Sequence, residues 1–422
     1  MYNIILYLYA FGAWVLSFFD QKVKKMIVGQ RQTVSILRQG IQASDRIAWF
    51  HAASLGEFEQ GRPLMERLRR EHPEYKILLT FFSPSGYEVR KNYSGADVIC
   101  YLPFDTPRRA KRFLRLAHPE IGVFIKYEFW QNYLMKAHRQ GTKLYSVSSI
   151  FRPSQHFFKW WGNSKPLRQF DHLFVQNETS RQLLAQRNIT CVTIVGDTRF
   201  DRVIDIRTKA TDLPLVERFV NKAEKVFIAG SSWEPDEDIY LPYLAEHPDW
   251  KLIIAPHVVN ENRIAALQQR LHELGMENVT YTHLEQATQE QKKDGEAVLK
   301  ELLCGKRVLI VNSYGKLSSI YRYATVAEVG GGFGVGIHNV PEAAVYGIPV
   351  LIGPNNHKFR EAQALLKSGG AFEFTDAATF AQLMDRFASD PAFLSEAGKQ
   401  AGDYIQRNAG AAAKCYEAIF NR

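Results

Sequence analysis

The 422-residue chain is poor in cysteine: Cys100, Cys191, Cys304 and Cys415 stand far apart, with no C-x-x-C pair and no Cys/His cluster. That excludes a zinc ribbon or a disulfide framework as the organising device and fits a reducing compartment. Internal repeats and low-complexity stretches are also missing, and long apolar runs are absent except at the N-terminus. Acidic residues are in deficit, 44 against 53 Lys and Arg, leaving a formal charge of +9. Such a balance points to an acidic partner: nucleic acid, anionic lipid or a phosphorylated substrate. No nucleic-acid-binding motif accompanies the basic groups, so a lipid surface is the better reading and nucleic acid is not expected.

The single apolar run, Ile4–Phe19, reads IILYLYAFGAWVLSFF and meets its first charge at Asp20. With the residues before it, it approaches the ~20 residues that cross a hydrocarbon core. A cleaved signal would carry positive charge ahead of the run and small residues after it. Here Phe18 and Phe19 close the run, and Lys22, Lys24, Lys25, Arg31 and Arg38 follow. Residues 1–20 are therefore expected to form a membrane anchor helix, contacting membrane lipids, with the rest of the chain on the cytoplasmic side. Tyr7, Tyr9 and Trp14 suit a helix lying flat in the interface equally well. A second basic group, Arg108, Arg109, Lys111, Arg112 and Arg115, follows Pro107, and reads as a solvated helix face as readily as a lipid contact.

The remainder is too long for one core, so two domains are expected. Short apolar runs alternate with amphipathic stretches, the pattern of parallel α/β folds. Strands are predicted at Ile47–Phe50, Lys76–Phe82, Val98–Leu102, Ile121–Ile125, Lys143–Val147, Leu173–Val175 and Val192–Val195. They recur at Val226–Ala229, Leu252–Ala255, Val308–Val311, Val326–Val329, Pro349–Ile352 and Ala371–Phe374. The polar stretch 201–223, with Pro214, reads as a linker between a lobe over 21–200 and a lobe over 224–422. The expected fold is thus two Rossmann-like lobes with a cleft between the carboxyl ends of their strands, where ligands of open parallel sheets bind.

In the second lobe, Glu328–Pro354 runs a strand into Gly330-Gly331-Gly332, then opens a helix at Asn339-Val340-Pro341-Glu342. Glycines allow close backbone approach, and a helix N-terminus attracts phosphate. Glu342 could accept hydrogen bonds from a ribose diol. The plainer reading is a glycine turn capped by Asn339, with Glu342 set against the helix dipole. A dinucleotide site would place an acidic residue at the end of the next strand, and PVLIGP has none. Ser231 and Ser232, His257 with Arg263, and Asn312 with Ser313 follow other strands of this lobe, each a weak signal alone.

In the first lobe His51-Ala52-Ala53-Ser54-Leu55-Gly56-Glu57 follows the first strand. Glu57 at the sheet edge suits a general base, or merely a carboxylate in a first helical turn. His51 is open between core and ligand. Lys126-Tyr127-Glu128-Phe129-Trp130 follows the strand IGVFI, and its aromatics fit a sugar-and-lipid site or a packed helix equally. Asp236-Glu237-Asp238 reads as a helix's first turn, and no metal site is expected.

Ser54-x-Gly56-Glu57, Glu128-Phe129-Trp130, Gly196–Asp201 (GDTRFD) and His338-Asn339-x-Pro341-Glu342-Ala343-Ala344 together resemble the bacterial Kdo (3-deoxy-D-manno-oct-2-ulosonic acid) transferases of lipopolysaccharide synthesis. The resemblance implies a GT-B glycosyltransferase of the inner membrane with no cofactor, CMP-Kdo as donor and a lipid A precursor of the lipid IVA type as acceptor. It implies Glu57 as base in an inverting displacement. It also implies Ser231, Ser232, His257, Arg263, Asn312, Ser313, Gly331, Gly332, Asn339 and Glu342 on the donor, and Glu128 and Arg199 on the acceptor. Departures occur at Lys126-Tyr127, where Glu-Thr is common, at Arg199 for Lys, at Trp233 for His, and in the loop at Gly334-Val335. The alternatives are a GT-B enzyme using a UDP-sugar with another lipid acceptor, and a non-catalytic nucleotide-binding membrane protein.

Overall fold

The computed structural model describes residues 2–221, 223–290 and 295–421. The chain forms two compact units: one takes the chain up to Arg202 together with the segment from Asn408 onward, the other is Val203–Arg407.

The first unit is built on seven parallel strands: β1 Arg46–His51, β2 Tyr75–Phe81, β3 Val98–Tyr101, β4 Ile121–Ile125, β5 Lys143–Ser149, β6 His172–Val175 and β7 Val192–Ile194. Their order is β3-β2-β1-β4-β5-β6-β7, so the order reverses where β1 lies against β4. Helices cover both faces, which is why β1 is buried at every position after Arg46. Alternate residues serve opposite cores: Trp49 and Phe124 pack into one, Ala48, Phe50 and Val123 into the other. The second of these cores includes Ala411, Cys415, Tyr416 and Ile419 of the C-terminal helix Ala411–Phe420, whose start is tied by Asp201 accepting from Gly410 N and Ala412 N.

The second unit carries β8 Val226–Ser232, β9 Lys251–Pro256, β10 Asn278–Thr280, β11 Val308–Ile310, β12 Val326–Val329, β13 Val350–Ile352 and β14 Ala371–Glu373, ordered β10-β11-β9-β8-β12-β13-β14. Its reversal lies at β8 and β12, which run parallel from Val326↔Phe227 to Val329↔Gly230.

Three expectations need correction. The strand β10 escaped sequence reading because it is a three-residue edge strand, Asn-Val-Thr, with one buried side chain. The stretch 201–223 is not an irregular linker: helices occupy Thr198–Thr208 and Pro214–Val220, and the boundary between units falls within the first of them. The lobe drawn over 224–422 loses its last segment to the first unit.

Residues 1–20 do not form one helix of spanning length. Helix α1 covers Tyr2–Leu16 and α2 covers Gln21–Gly40, with a bend of 119° between them, and among the described residues no single helix is long and apolar enough to cross a membrane. The break is chemical: Asp20 caps α2, its Oδ1 accepting from Lys22 N and Val23 N, so α2 starts anew. Only Leu6 and Ala13 of α1 are buried. Ile4, Ile5, Leu8, Phe11 and Leu16 are exposed, as are Phe18 and Phe19 beyond it.

Candidate functional site

At the β1/β4 reversal of the first unit, both strand ends deliver polar chemistry. β1 ends at His51, and after Ser54 the helix α3, Leu55–Glu71, begins. Glu57 lies at its third position. Its Oε2 accepts from Ala53 N at 2.6 Å and Ser54 N at 3.2 Å, so one oxygen does the capping. No described residue hydrogen-bonds Oε1. Burial raises the Glu57 pKa above the ordinary carboxylate value, and the Glu128 carboxylate raises it further, against the opposing pull of His51 and the two amides. The dipole-compensating role and the raised basicity therefore coexist on one side chain.

Glu128 comes from the turn after β4. Its Oε2 accepts from Trp130 Nε1 at 2.6 Å and lies 3.2 Å from His51 Nε2. His51 is fully buried. Its Nδ1 is 3.1 Å from the Thr80 carbonyl and 2.9 Å from Thr80 Oγ1. With the ring proton on Nδ1, the Thr80 carbonyl accepts it and Nε2 is left as an acceptor beside Trp130 Nε1. Sequence reading left His51 unassigned; its position as the last residue of β1 was the available signal.

Around this pair the backbone is held in unusual conformations. Lys126 (φ 62°), directly after β4, and Ser148 (φ 57°), near the end of β5, adopt the left-handed region, a cost of about 1–3 kcal/mol each that surrounding structure must sustain. Ser149 Oγ donates to the Lys126 carbonyl at 2.7 Å, and Ser148 Oγ accepts from Thr198 N at 3.3 Å. Arg199 is set by Asp197, which takes its Nε at 2.9 Å. Glu57, Asp197, Arg152 and Arg199 all bear electrostatically on Tyr127, whose hydroxyl pKa is raised chiefly by burial. Thus Glu57, Glu128 and Arg199, named separately from the sequence, gather at one sheet edge.

An aromatic row leads from this edge to α1: Trp130 packs on Phe82 at 5.0 Å, Phe82 on Phe104 at 5.8 Å, and Phe104 on Tyr9 at 5.6 Å. Beneath α1 and α2 lies a cavity of about 390 Å³ lined by Ala10, Trp14, Ile27, Phe104 and Phe113, with Arg31, Arg109 and Arg112 in its wall. None of the three arginines pairs with a carboxylate among the described residues. Tyr2 hydroxyl donates to Asp105 at 2.6 Å, fastening the start of α1; burial lifts the Asp105 pKa to about 6.

The second unit's edge is organised differently. The end of β8 bulges: Ser231 takes φ 54° and the register to β9 shifts between Gly230 and Ser232. Asp236, fully buried, accepts from Trp233 N and Gly331 N, each at 2.9 Å, and so ties the helix Glu234–Glu246 to the glycine turn. Gly331 needs its φ of 95°, and a Cβ at Gly332 would come 2.5 Å from the Gly353 backbone. The acidic triplet does more than balance a helix dipole, because Glu237 is also buried. It accepts from Ser232 Oγ at 3.1 Å and pairs with Arg263. Ser232 Oγ also meets Tyr240 hydroxyl at 2.8 Å. Ser232, Arg263 and the Gly331 amide, expected on the donor, are thus engaged internally.

Other expected donor residues keep exposed or half-exposed faces. His257 is stacked between Trp233 (4.7 Å) and His338 (4.3 Å), while Trp233 Nε1 donates to His338 Nε2 at 3.1 Å. Burial and the His257 ring lower the His338 pKa. Asn339 does not cap its helix, Val340–Ala344; its Nδ2 donates instead to Glu342 Oε1 at 2.6 Å. Asn312 is pinned to Thr282, and Ser313 Oγ accepts from Lys316 Nζ. Glu328, at the heart of β12, is fully buried with neither carboxylate oxygen hydrogen-bonded among the described residues, and burial pushes its pKa well above the usual range. Among the described residues no cluster of His, Cys, Asp and Glu could hold a metal ion.

Two units, each a parallel seven-stranded sheet with its polar groups at the carboxyl edge beside the reversal of strand order, place the chain in the GT-B-like α/β class. The crystal structure of UDP-GlcNAc 2-epimerase from Neisseria meningitidis bound to UDP-GlcNAc shares this fold, with a TM-score of 0.59 at 13% identity over 90% of this chain and 100% of that one. A more particular relation comes from sequence. The family model described as 3-Deoxy-D-manno-octulosonic-acid transferase (kdotransferase) matches residues 28–202. The 3-deoxy-D-manno-octulosonic acid transferase of Aquifex aeolicus is 27% identical over 77% of this chain and 81% of its own, and that of Bordetella pertussis is 25% identical over 90% and 89%. By this match and these relatives the chain is similar to the Kdo transferases over most of its length.

Proposed function

We propose that this protein transfers a Kdo residue from CMP-Kdo to a hydroxyl of a lipid A precursor, a step of lipopolysaccharide assembly, with Glu57 as the general base. The observation that carries the reading is Glu57 itself: a sheet-edge carboxylate with one oxygen spent on two backbone amides, the other unengaged, and a raised pKa. A carboxylate of raised pKa takes a proton more readily than an ordinary one. Glu57 removes the acceptor hydroxyl's proton as the new C–O bond forms at the anomeric carbon, and CMP departs with the electron pair of the bond that breaks, inverting the configuration. Glu128, oriented by His51 and Trp130, and Arg199, set by Asp197, would hold the acceptor.

On the second unit, Glu342 and Asn339 suit the ribose, Ser231, Ser313 and the backbone of the glycine turn suit the phosphate, and the Trp233–His257–His338 stack offers a planar surface. The exposed apolar residues of α1 and the basic groups of α2 favour attachment to the cytoplasmic face of the inner membrane. The arginine-walled cavity fits an acyl chain with a phosphate near it.

Incubation with CMP-Kdo or with UDP-sugars, each with a tetraacylated lipid A precursor, tests the proposal by mass spectrometry of the lipid and by the nucleotide released. Kdo added to the lipid with CMP release is expected; release of UDP instead, or no turnover with either donor, would overturn it.

A further inference from the structure

The segment between β5 and β6, residues 150–171, is long for an α/β connection, and long connections in compact units tend to carry function. Its two sides differ sharply. Phe151 and Phe157 are buried, and both pack on Phe129, at 5.3 and 5.4 Å, next to Glu128. Trp160 and Trp161 point the other way, 93% and 63% exposed. Loose chain does not explain this exposure, because the turn is fastened around them. Arg187 donates to the Lys159 carbonyl at 2.7 Å, Gly162 N to the same carbonyl at 2.8 Å, and Asn163 Nδ2 to Gln131 Oε1 at 2.9 Å. A Cβ at Gly162 would fall 1.7 Å from the His156 carbonyl oxygen, so glycine alone closes the turn that holds the indoles out.

The charge around the pair has one sign. Residues 150–170 contain no acidic side chain, and the exposed Arg152, Lys159 and Lys165 form no ion pair among the described residues. Adjacent exposed tryptophans flanked by unpaired cations match the interfacial layer of an anionic bilayer, where indole rings sit at headgroup depth and cations meet phosphate. Placement agrees with chemistry. Asn163 is bonded to Gln131, and the same first turn of the helix Gln131–Arg139 holds the start of α1, with Gln131 N donating to Tyr2 hydroxyl at 3.4 Å and Asn132 Nδ2 to Asn3 at 2.8 Å. The tryptophan turn and the exposed apolar helix α1 thus converge on one point of the first unit.

We propose that Trp160 and Trp161 are a second membrane-contact element, inserting into the interface of an anionic bilayer beside α1. Two separate contacts fix the tilt of the unit on the membrane, which one helix lying in the interface leaves free. Through Phe129 the turn also bears on the segment that carries Glu128. The inference rests on the membrane-attachment reading.

The test is co-sedimentation of the full chain with vesicles of phosphatidylethanolamine and phosphatidylglycerol, comparing wild type, Trp160→Ser/Trp161→Ser and Lys159→Glu/Lys165→Glu. Loss of two membrane-inserted indoles is expected to lower partitioning by at least about tenfold, at unchanged Tm and with turnover on a detergent-dispersed acceptor retained. The charge reversal is expected to lower binding at low salt and to flatten its salt dependence. Wild-type partitioning in both variants would overturn the inference and leave membrane attachment standing. Absence of wild-type binding to any vesicle would overturn the attachment reading beneath it. Vesicle binding kept while turnover on dispersed acceptor is lost would show that the indoles clasp the acceptor, and a dimer broken by the serine variant would show that they pack on a second copy; either result overturns the proposal. Should the serine variant not fold, the charge reversal decides.

Discussion

The two units are built on nearly the same plan, yet their carboxyl edges are equipped for different work. At the edge of the first, the ionisable groups stay chemically available: Glu57 keeps one oxygen unengaged, Glu128 Oε2 lies 3.2 Å from His51 Nε2, and burial keeps Glu57 above its ordinary pKa. At the edge of the second, Glu237 engages Ser232 and Arg263 while Asp236 accepts from the backbone of Trp233 and Gly331, and what they hold still is the glycine turn and the ring stack. On the proposed reading, the first edge moves a proton and the second presents a shaped surface. Parallel architecture puts polar groups at the strand ends in both; whether those groups are left open or closed off decides what each edge can do.

Breaking the second edge should therefore damage stability before chemistry. Asp236→Ala leaves the buried amides of Trp233 and Gly331 without their acceptor, and a stranded buried donor costs about 1–3 kcal/mol. A lowered Tm together with weaker CMP-Kdo binding is expected by thermal melting and calorimetry; an unchanged Tm would mean that the glycine turn holds itself.

A change on the surface of the same edge should act on the donor alone. Glu342→Ala is expected to weaken CMP-Kdo binding by roughly 1–3 kcal/mol, as for loss of a charged hydrogen bond, with acceptor affinity unmoved. Unaltered donor affinity would return Glu342 to partnering Asn339.

A pH titration separates the edges further. Glu328 has a folded-state pKa well above that of the unfolded chain, so the folded state holds its proton more tightly. That contribution is complete below the unfolded carboxylate value and is lost as pH rises through the folded one. Glu328→Gln should flatten the decline of Tm above about pH 5; parallel Tm–pH curves would place the proton elsewhere.

At the first edge the expected shift is smaller and kinetic. Burial first, then Glu128, raises the Glu57 pKa. Glu128→Gln removes one like charge, so the acid limb of kcat/KM should move to lower pH by less than about one unit. A limb that stays in place would separate Glu57 from the limiting ionisation.

Much of this was legible in the sequence, and for a stated reason. Strands buried on both faces must be continuously apolar, and the inner strands of both sheets announced themselves in this way; edge strands such as Val192–Ile194 showed by β-branched residues, whereas the edge strand Asn278–Thr280 offers only Asn-Val-Thr. Glu57 and Glu128 were accessible because each follows a strand, while Arg199 came only from the resemblance. Asp236 and Glu237 were underread, since a carboxylate in a first helical turn has an ordinary explanation and only burial reveals the other. The single anchor helix failed on one residue: hydropathy counted Asp20 as the end of a run, while structurally it starts another helix. No local sequence pattern tells the exposed indoles of Trp160 and Trp161 from packed ones.

The central claim is that Glu57 moves the acceptor's proton, and Glu57→Gln tests it most directly because the amide keeps the shape and loses the base. With kcat and Tm measured on one preparation with CMP-Kdo and a lipid A precursor, a base role predicts a fall in kcat of about 10²–10⁴-fold with donor affinity kept. The amide oxygen still accepts from Ala53 N and Ser54 N, now without the charge, so the change should cost no more than about 0.5–2 kcal/mol of stability. Near-normal turnover in a variant destabilised by that amount would contradict the claim and leave Glu57 as a cap alone.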